Sequence, residues 1–302
     1  MFSDGENAKH EPNWLRFFSV YLLNRRVDLV TADMVIEAIC KSCLKKVKII
    51  VSHYNVHAFN LSMLLPQFFV FQQNADITVC DGMGMLKGLE LMGISVASKY
   101  RVPLTLMIPN LLNECERHNL SVFLLGSKPQ NLEKALNNQK AKHPYINLAG
   151  HHGYFDPTNP IQNQFVIEKI NQFKPDILIV GMGMPLQELW IQKNYQNIEA
   201  LAILPCGAVI DRLAGLVPNC PKWMSNLGLE WFYRFLREPK RLAARYLLGN
   251  PLFLINLLWA KYNRFYSAYT GEGEITHNPK NHVNKIMDLQ TNRISTNELF
   301  LT

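Results

Sequence analysis

No apolar run in this 302-residue chain approaches the length that crosses a bilayer. A helix needs about 20 predominantly apolar residues for that, so no membrane span is expected. A secretory leader is missing as well. The first dozen residues are polar and of mixed charge, without a cationic start followed by a long apolar core, and the body of the chain reads as soluble and cytoplasmic. The phosphate-binding loop of nucleoside triphosphatases is absent. Two Gly-Met-Gly-Met turns lack the third glycine of a dinucleotide fingerprint, because Lys87 and Leu186 stand where it is needed. Cysteine is sparse and scattered: Cys40, Cys43, Cys80, Cys115, Cys206 and Cys220. Cys40 and Cys43 form a C-x-x-C, but no second pair or suitably placed His completes four zinc ligands. Helix packing is the better reading of that pair, and scattered thiols suit a reducing compartment. Charge is thin too, at 18% of residues against 48% hydrophobic, a balance that belongs to a folded protein and excludes a disordered one.

The charge that is present leans positive: 31 Lys and Arg against 24 Asp and Glu, a formal net charge of +7. An anionic partner is expected, and nucleic acid, anionic lipid headgroups and diphosphates all qualify. Short β-branched runs at 47–52, 77–80, 121–125, 176–180 and 200–204 predict strands. Helical periodicity occupies 32–44, 84–92, 103–119, 129–142 and 161–173. Strand followed by helix, repeated, predicts a Rossmann-like α/β fold with a mainly parallel sheet flanked by helices. The division expected is a flexible segment at 1–16, a catalytic domain at 17–215, a basic and aromatic helical appendage at 216–266, and a polar tail at 267–302.

Asp81 is the leading candidate for chemistry. It ends the predicted strand at 77–80 and runs into a Gly-rich turn, the place where open α/β sheets bind ligands. A carboxylate there serves as a general base if its neighbours hold it near a substrate hydroxyl; the alternative is a helix cap or turn. Pro185 is placed to start a helix, with Gln187 and Glu188 in its first turn at the mouth of the site. Gln187 either contacts a sugar or base there or simply begins the helix. His53 and His57 straddle a strand-to-helix junction at Asn55 without an acidic partner spaced to complete a metal site, so structural or substrate-contacting roles are expected. His151 and His152 lie in a segment that reads as a pocket loop. Arg234, Arg237, Arg241 and Arg245 recur every three or four residues, one basic helical stripe interrupted near Pro239, and guanidinium groups suit diphosphates. The apolar stretch at 247–259, with Trp and Tyr beside basic residues, describes either an interfacial membrane element or a helix packed on the core. The apolar stretch at 64–71 is either core or a subunit interface in a homo-oligomer.

Over about 27–253 these segments together resemble the WecG/TagA/CpsF family of glycosyltransferases. The likeness is carried by Asn55, Ala75-Asp76 with Asp81-Gly82, Arg101, Leu124-Leu125-Gly126 and Gly153-Tyr154. It continues through Pro185, Gln187-Glu188 and Trp190, Asp211 with Ala214-Gly215, and Gly228-Leu229-Glu230-Trp231 with Tyr233-Arg234. Glu238-Pro239, Arg241 and Arg245-Tyr246 complete it. The resemblance implies an inverting, metal-independent transfer of a sugar from a UDP-sugar to a polyprenyl-diphosphate-linked saccharide, in bacterial surface polysaccharide assembly. It makes Asp81 the general base and Asn55 its helper at the acceptor. His53, Arg101, Gly153, Tyr154, Gln187 and Asp211 become substrate contacts, and Arg234, Arg241 and Arg245 neutralise the diphosphate. It implies no cofactor, no nucleic acid partner, and an appendage that associates peripherally with the cytoplasmic membrane. This chain departs from the pattern where it has His53 in place of a common Thr, Arg101-Val-Pro-Leu-Thr-Leu106 in place of Arg-x-x-Gly-x-Asp, and Ala244 in place of a common Arg. The reading from a different class is a non-catalytic basic module that binds anionic lipid or nucleic acid.

Overall fold

The computed structural model describes residues 15, 17–218, 220–221, 223–224, 228–262 and 268–271. Its elements follow in chain order. A hairpin of β1 (Ser19–Leu22) and β2 (Arg25–Asp28) leads into α1 (Ala32–Lys45), β3 (Ile49–Tyr54), α2 (Val56–Leu64), α3 (Pro66–Asn74) and β4 (Ile77–Cys80). Next come α4 (Met83–Leu91), α5 (Leu104–Arg117), β5 (Val122–Gly126), α6 (Pro129–Lys142), β6 (Leu148–His151) and α7 (Pro160–Phe173). The core ends with β7 (Ile177–Gly181), α8 (Leu186–Asn194), β8 (Ala202–Pro205) and α9 (Val209–Leu213). Beyond it lie α10 (Glu230–Arg237), α11 (Pro239–Ala243), a π-helical turn (Ala244–Leu248), α12 (Gly249–Tyr262) and β9 (Ala268–Gly271).

The main sheet has the order β4-β3-β8-β7-β5-β6, and every neighbouring pair is parallel. Its strands are apolar on both faces for a simple reason. Side chains alternate, and helices cover each side. Ile49, Val51, Val122, Leu124, Ile177 and Ile179 join α1 and α5 in one core. The intervening Ile50, Phe123, Leu125, Leu178 and Val180 join α7 and α8 in another. A third cluster unites β1, β2, α2 and α4 with Phe253 and Leu257 of α12. Local signals begin the helices: Thr31, Asn55 and Asn159 cap α1, α2 and α7 with their side chains, and Pro66, Pro129 and Pro160 occupy first-turn positions. At the amino edge of the sheet, Asp76 accepts the Ile50 N–H at 2.7 Å and Asp176 accepts that of Ser121 at 2.9 Å, which satisfies donors that the parallel ladder leaves over.

The expected strands are all present. The one at 77–80 keeps its bounds and the others lie one or two residues further on. Four strands escaped the sequence reading. β6 is an edge strand with one buried residue, Leu148, so it carries no alternation to read, and His151 of the expected pocket loop is its last residue. β1 and β2 turn through Leu23 and Asn24, both at positive φ (47° and 63°). That is the geometry of a two-residue hairpin, hidden because Leu is an uncommon residue there. β9 pairs antiparallel with β1 inside the region expected as a polar tail; the rest of that tail and the segment 1–14 lie outside the described residues. At 64–71, Phe68 and Phe71 enter the core, whereas Leu64 and Leu65 are exposed. Among the described residues no helix is long and apolar enough to cross a membrane.

Candidate active site

The carboxyl ends of β3, β4, β7 and β8 open onto two clefts, of about 440 Å³ and about 570 Å³. Both are walled on the far side by the helices after residue 228. Asn55, His57, Asp81, Arg234 and Arg245 line both clefts, so the two spaces meet at these five side chains. The first cleft continues past Arg101, Glu230 and Trp231 to Leu91, Leu254 and Leu257. The second runs past His53, Gly183, Cys206, Gly207 and Arg212.

Asp81 is placed by the strand before it and the glycine after it. Its N–H donates to the Tyr54 carbonyl at 2.8 Å, one residue beyond the last rung of the β3–β4 ladder. Gly82 then takes φ +109°, a conformation L-residues rarely adopt. The chain therefore turns sharply into α4 and leaves the carboxylate on the rim, with 27% of its side chain open to solvent. His53 Nε2 stands 3.9 Å from Asp81 Oδ2. Burial pushes the His53 imidazole below the usual histidine range, with the Asp81 carboxylate acting the other way, so it faces Asp81 as a neutral ring. His57 is pushed down to about 4 by burial and by Arg245, and it too is neutral near pH 7. Asn55 spends its side-chain oxygen on the Ala58 N–H at 3.0 Å and lines both clefts. No group of three or more His, Cys, Asp or Glu among the described residues is arranged to hold a metal ion.

The cationic side of the site comes from four arginines. Arg101 itself forms a parallel backbone bridge with Cys80 and reaches Glu230 at 3.3 Å. Arg234 and Arg245 sit where the clefts join, and Arg234 Nε is buried with no hydrogen-bond partner among the described residues. Arg212, in the second cleft, is held below the usual arginine range by burial and by Arg234 beside it. Cationic groups this close favour an anionic occupant. The stripe is interrupted where expected: Glu238 ends α10, a new helix starts at Pro239, and Arg237 stacks on Tyr233. The side chain of Arg241 lies outside the described residues.

Gln187 and Glu188, expected at the mouth of the site, are wholly buried. Gln187 Oε1 accepts the N–H groups of Gly183 (3.1 Å) and Gly207 (3.0 Å), and its Nε2 donates to Glu188 at 2.8 Å. The loops after β7 and β8 present inward N–H groups that need an acceptor, and the first turn of α8 supplies it from beneath. Burial raises the Glu188 carboxyl to about 7. Asp211, Gly153 and Tyr154 lie further along the same edge and line neither cleft. Asp211 accepts from the Ser127 hydroxyl and, at 2.9 Å, from Asn131. Gly153 donates its N–H to Ser127 at 2.9 Å, and Tyr154 is 64% exposed. Sequence reasoning passed over Arg212, Ser127, Asn131 and Gly207. Arg212 adjoins Asp211, and Gly207 follows a strand as the noted glycines do; nothing in the pattern distinguished the other two.

The constellation pairs a solvent-reached carboxylate with clustered guanidinium groups across two connected clefts. It is equipped to deprotonate a hydroxyl in one space and to steady an anionic leaving group in the other. Comparison with known proteins identifies the family. Residues 20–266 match the family described as "Glycosyl transferase WecG/TagA/CpsF family". An N-acetylglucosaminyldiphosphoundecaprenol N-acetyl-beta-D-mannosaminyltransferase of Staphylococcus aureus strain MW2 is 32% identical over 193 residues, 62% of this chain and 70% of the relative. The protein of the same description from strain NCTC 8325 matches to the same extent.

Proposed function

Since the chain belongs to the WecG/TagA/CpsF family and is a glycosyltransferase, we propose that it moves a sugar, with inversion, from a UDP-sugar to a saccharide carried on polyprenyl diphosphate during assembly of a bacterial surface polysaccharide. The observation that carries this reading is the place of Asp81, at the junction of two clefts and open to solvent. A transferase base must reach the acceptor hydroxyl while the donor is seated beside it.

In this reading the Asp81 carboxylate takes the acceptor hydroxyl proton as that oxygen attacks the anomeric carbon. The bond from that carbon to UDP breaks on the opposite face, and its electron pair leaves on the diphosphate. Arg212, Arg234 and Arg245 stabilise the departing charge, the work a divalent cation would otherwise do. Arg241 is assigned there on the family resemblance alone. His53 and Asn55 flank Asp81 at the acceptor, and Arg101 steadies an anionic group in the first cleft. Asp211, Gly153 and Tyr154 are assigned to the donor's nucleoside end. Gln187 serves the donor indirectly, by holding the Gly183 and Gly207 loops. The exposed Leu248, Ile255, Leu258 and Trp259 of the last helices support peripheral seating on the cytoplasmic membrane, where the lipid-linked acceptor resides.

The test is UDP release from a panel of UDP-sugars with a short-chain polyprenyl-diphosphate-GlcNAc acceptor, in detergent with EDTA present. N-acetylmannosamine is the first donor to try, with its uronic acid and glucose after it. Asp81→Asn is expected to slow transfer roughly 10²–10⁴-fold with an unchanged melting temperature. Undiminished turnover by that variant removes Asp81 as the base, and abolition of wild-type turnover by EDTA removes the metal-free scheme.

A further inference from the structure

The first cleft changes character along its length, and two helices account for the change. α4 contributes Gly84, Lys87, Gly88 and Leu91, and α12 contributes Asn250, Phe253, Leu254 and Leu257. Each set has the spacing i, i+3, i+4, i+7, one face of a helix, so two facing stripes form a trough. Both helices start at the charged end of the cleft, beside Asp81, Arg101, Arg234 and Arg245. Both end side by side, where Lys261 Nζ donates to the Leu91 carbonyl at 2.9 Å. Gly88 closes the floor: a Cβ there would stand 2.7 Å from Phe253 Cζ and 3.1 Å from Leu257 Cδ1, so glycine is what lets the helices meet. Phe253 is anchored from below by an edge-to-face contact with Phe59 at 4.9 Å. From Asn250 to Leu257 the trough runs about 10 Å at 1.5 Å per residue. Its wall residue Leu254 is 48% exposed, and it leads onto the open apolar surface of Leu258 and Trp259.

We infer that this trough between α4 and α12 is the seat of the acceptor's polyprenyl chain, with the attached diphosphate held at the charged end by Arg101, which lines this cleft alone, and the isoprene units running outward past Leu254 toward the lipid surface. Charge complementarity chooses the occupant: guanidinium groups at one end and leucines at the other match a diphosphate joined directly to a hydrocarbon. A soluble nucleotide would leave the leucines unused, and an unphosphorylated lipid would leave the arginines so. The inference rests on the acceptor reading above and gives it a location. The donor is left to the second cleft, with Asp81 between them.

Binding to the full chain tests this without turnover. Farnesyl diphosphate, kept below its micellar concentration, is expected to bind at least tenfold more tightly than inorganic diphosphate, a factor worth about 1.4 kcal/mol. Leu254→Asn and Leu91→Asn are expected to erase most of that preference while leaving the affinity for inorganic diphosphate unchanged. Ile255→Asn, on the exposed face outside the trough, is expected to preserve it. Equal affinities for the two ligands overturn the proposal, as does loss of the preference in Ile255→Asn to the same degree as in Leu254→Asn. If no UDP-sugar supports transfer while the chain preference and its Leu254 dependence persist, the transferase scheme fails and the lipid trough stands.

Discussion

At Glu188 the two levels of description diverge most. In the sequence it is an acidic residue in a helix's first turn, a common and favourable placement. In the fold it is wholly buried, and its carboxyl is raised from 4.5 to about 7 by desolvation. The folded chain thus keeps a proton that the unfolded chain releases between those values. Wild-type stability falls as pH rises through that window, by an amount on the order of 3 kcal/mol once above it. Glu188→Gln keeps an oxygen for Gln187 Nε2 and has no proton to lose. Its melting temperature is expected to match the wild type near pH 4.5 and to exceed it by several degrees at pH 8.5. A constant difference across that range shows that the buried carboxyl is not the cause. Asp81, by contrast, was legible directly, because a strand-end carboxylate before glycine leaves few places for the side chain to go. Its neighbour His53 was legible as a candidate, but not as a buried neutral ring 3.9 Å from Asp81. That depends on how tightly β3 and β4 are covered.

Long elements were read accurately, ends included, and several short ones were missed. The core helices predicted from periodicity appear within two residues of their expected ends, since amphipathic spacing over three or four turns is a strong signal. Short elements such as β6, β1 and β2 had too few residues to show one. How closely the joints between strands and loops approach one another was not legible. Gly126, at φ +150°, lies so close to Gly181 that a Cβ would collide with the Gly181 carbonyl, and a Cβ on Gly181 would stand 2.7 Å from the Gly207 carbonyl. The carboxyl ends of β5, β7 and β8 therefore touch backbone to backbone. Gly126→Ala is expected to cost more than about 2 kcal/mol and to lower the denaturant midpoint. A midpoint unchanged from wild type would show that these strand ends separate freely.

For the whole molecule, the helices after residue 228 close the site and complete a core at once. Arg234 and Arg245 face the clefts, whereas Phe253 and Leu257 are buried with Phe59 and Leu89. A chain ending at residue 227 is expected to keep the far-ultraviolet signature of the α/β sheet and to melt at a lower temperature. It is also expected to lose both sugar transfer and sedimentation with anionic vesicles. Full vesicle binding by that shortened chain would remove the membrane role proposed for these helices. The amino-acid sequence by itself determined the alternation of strand and helix, the parallel sheet, the strand-end carboxylate and the arginine supply, because each is written in local spacing and residue chemistry. Only the tertiary structure decided that Asp81 stands between two clefts, that Gln187 works from behind the loops, and that α4 and α12 face each other across a trough. Those relations join residues far apart in the chain, and they are set by how buried surfaces fit together, which no local pattern encodes.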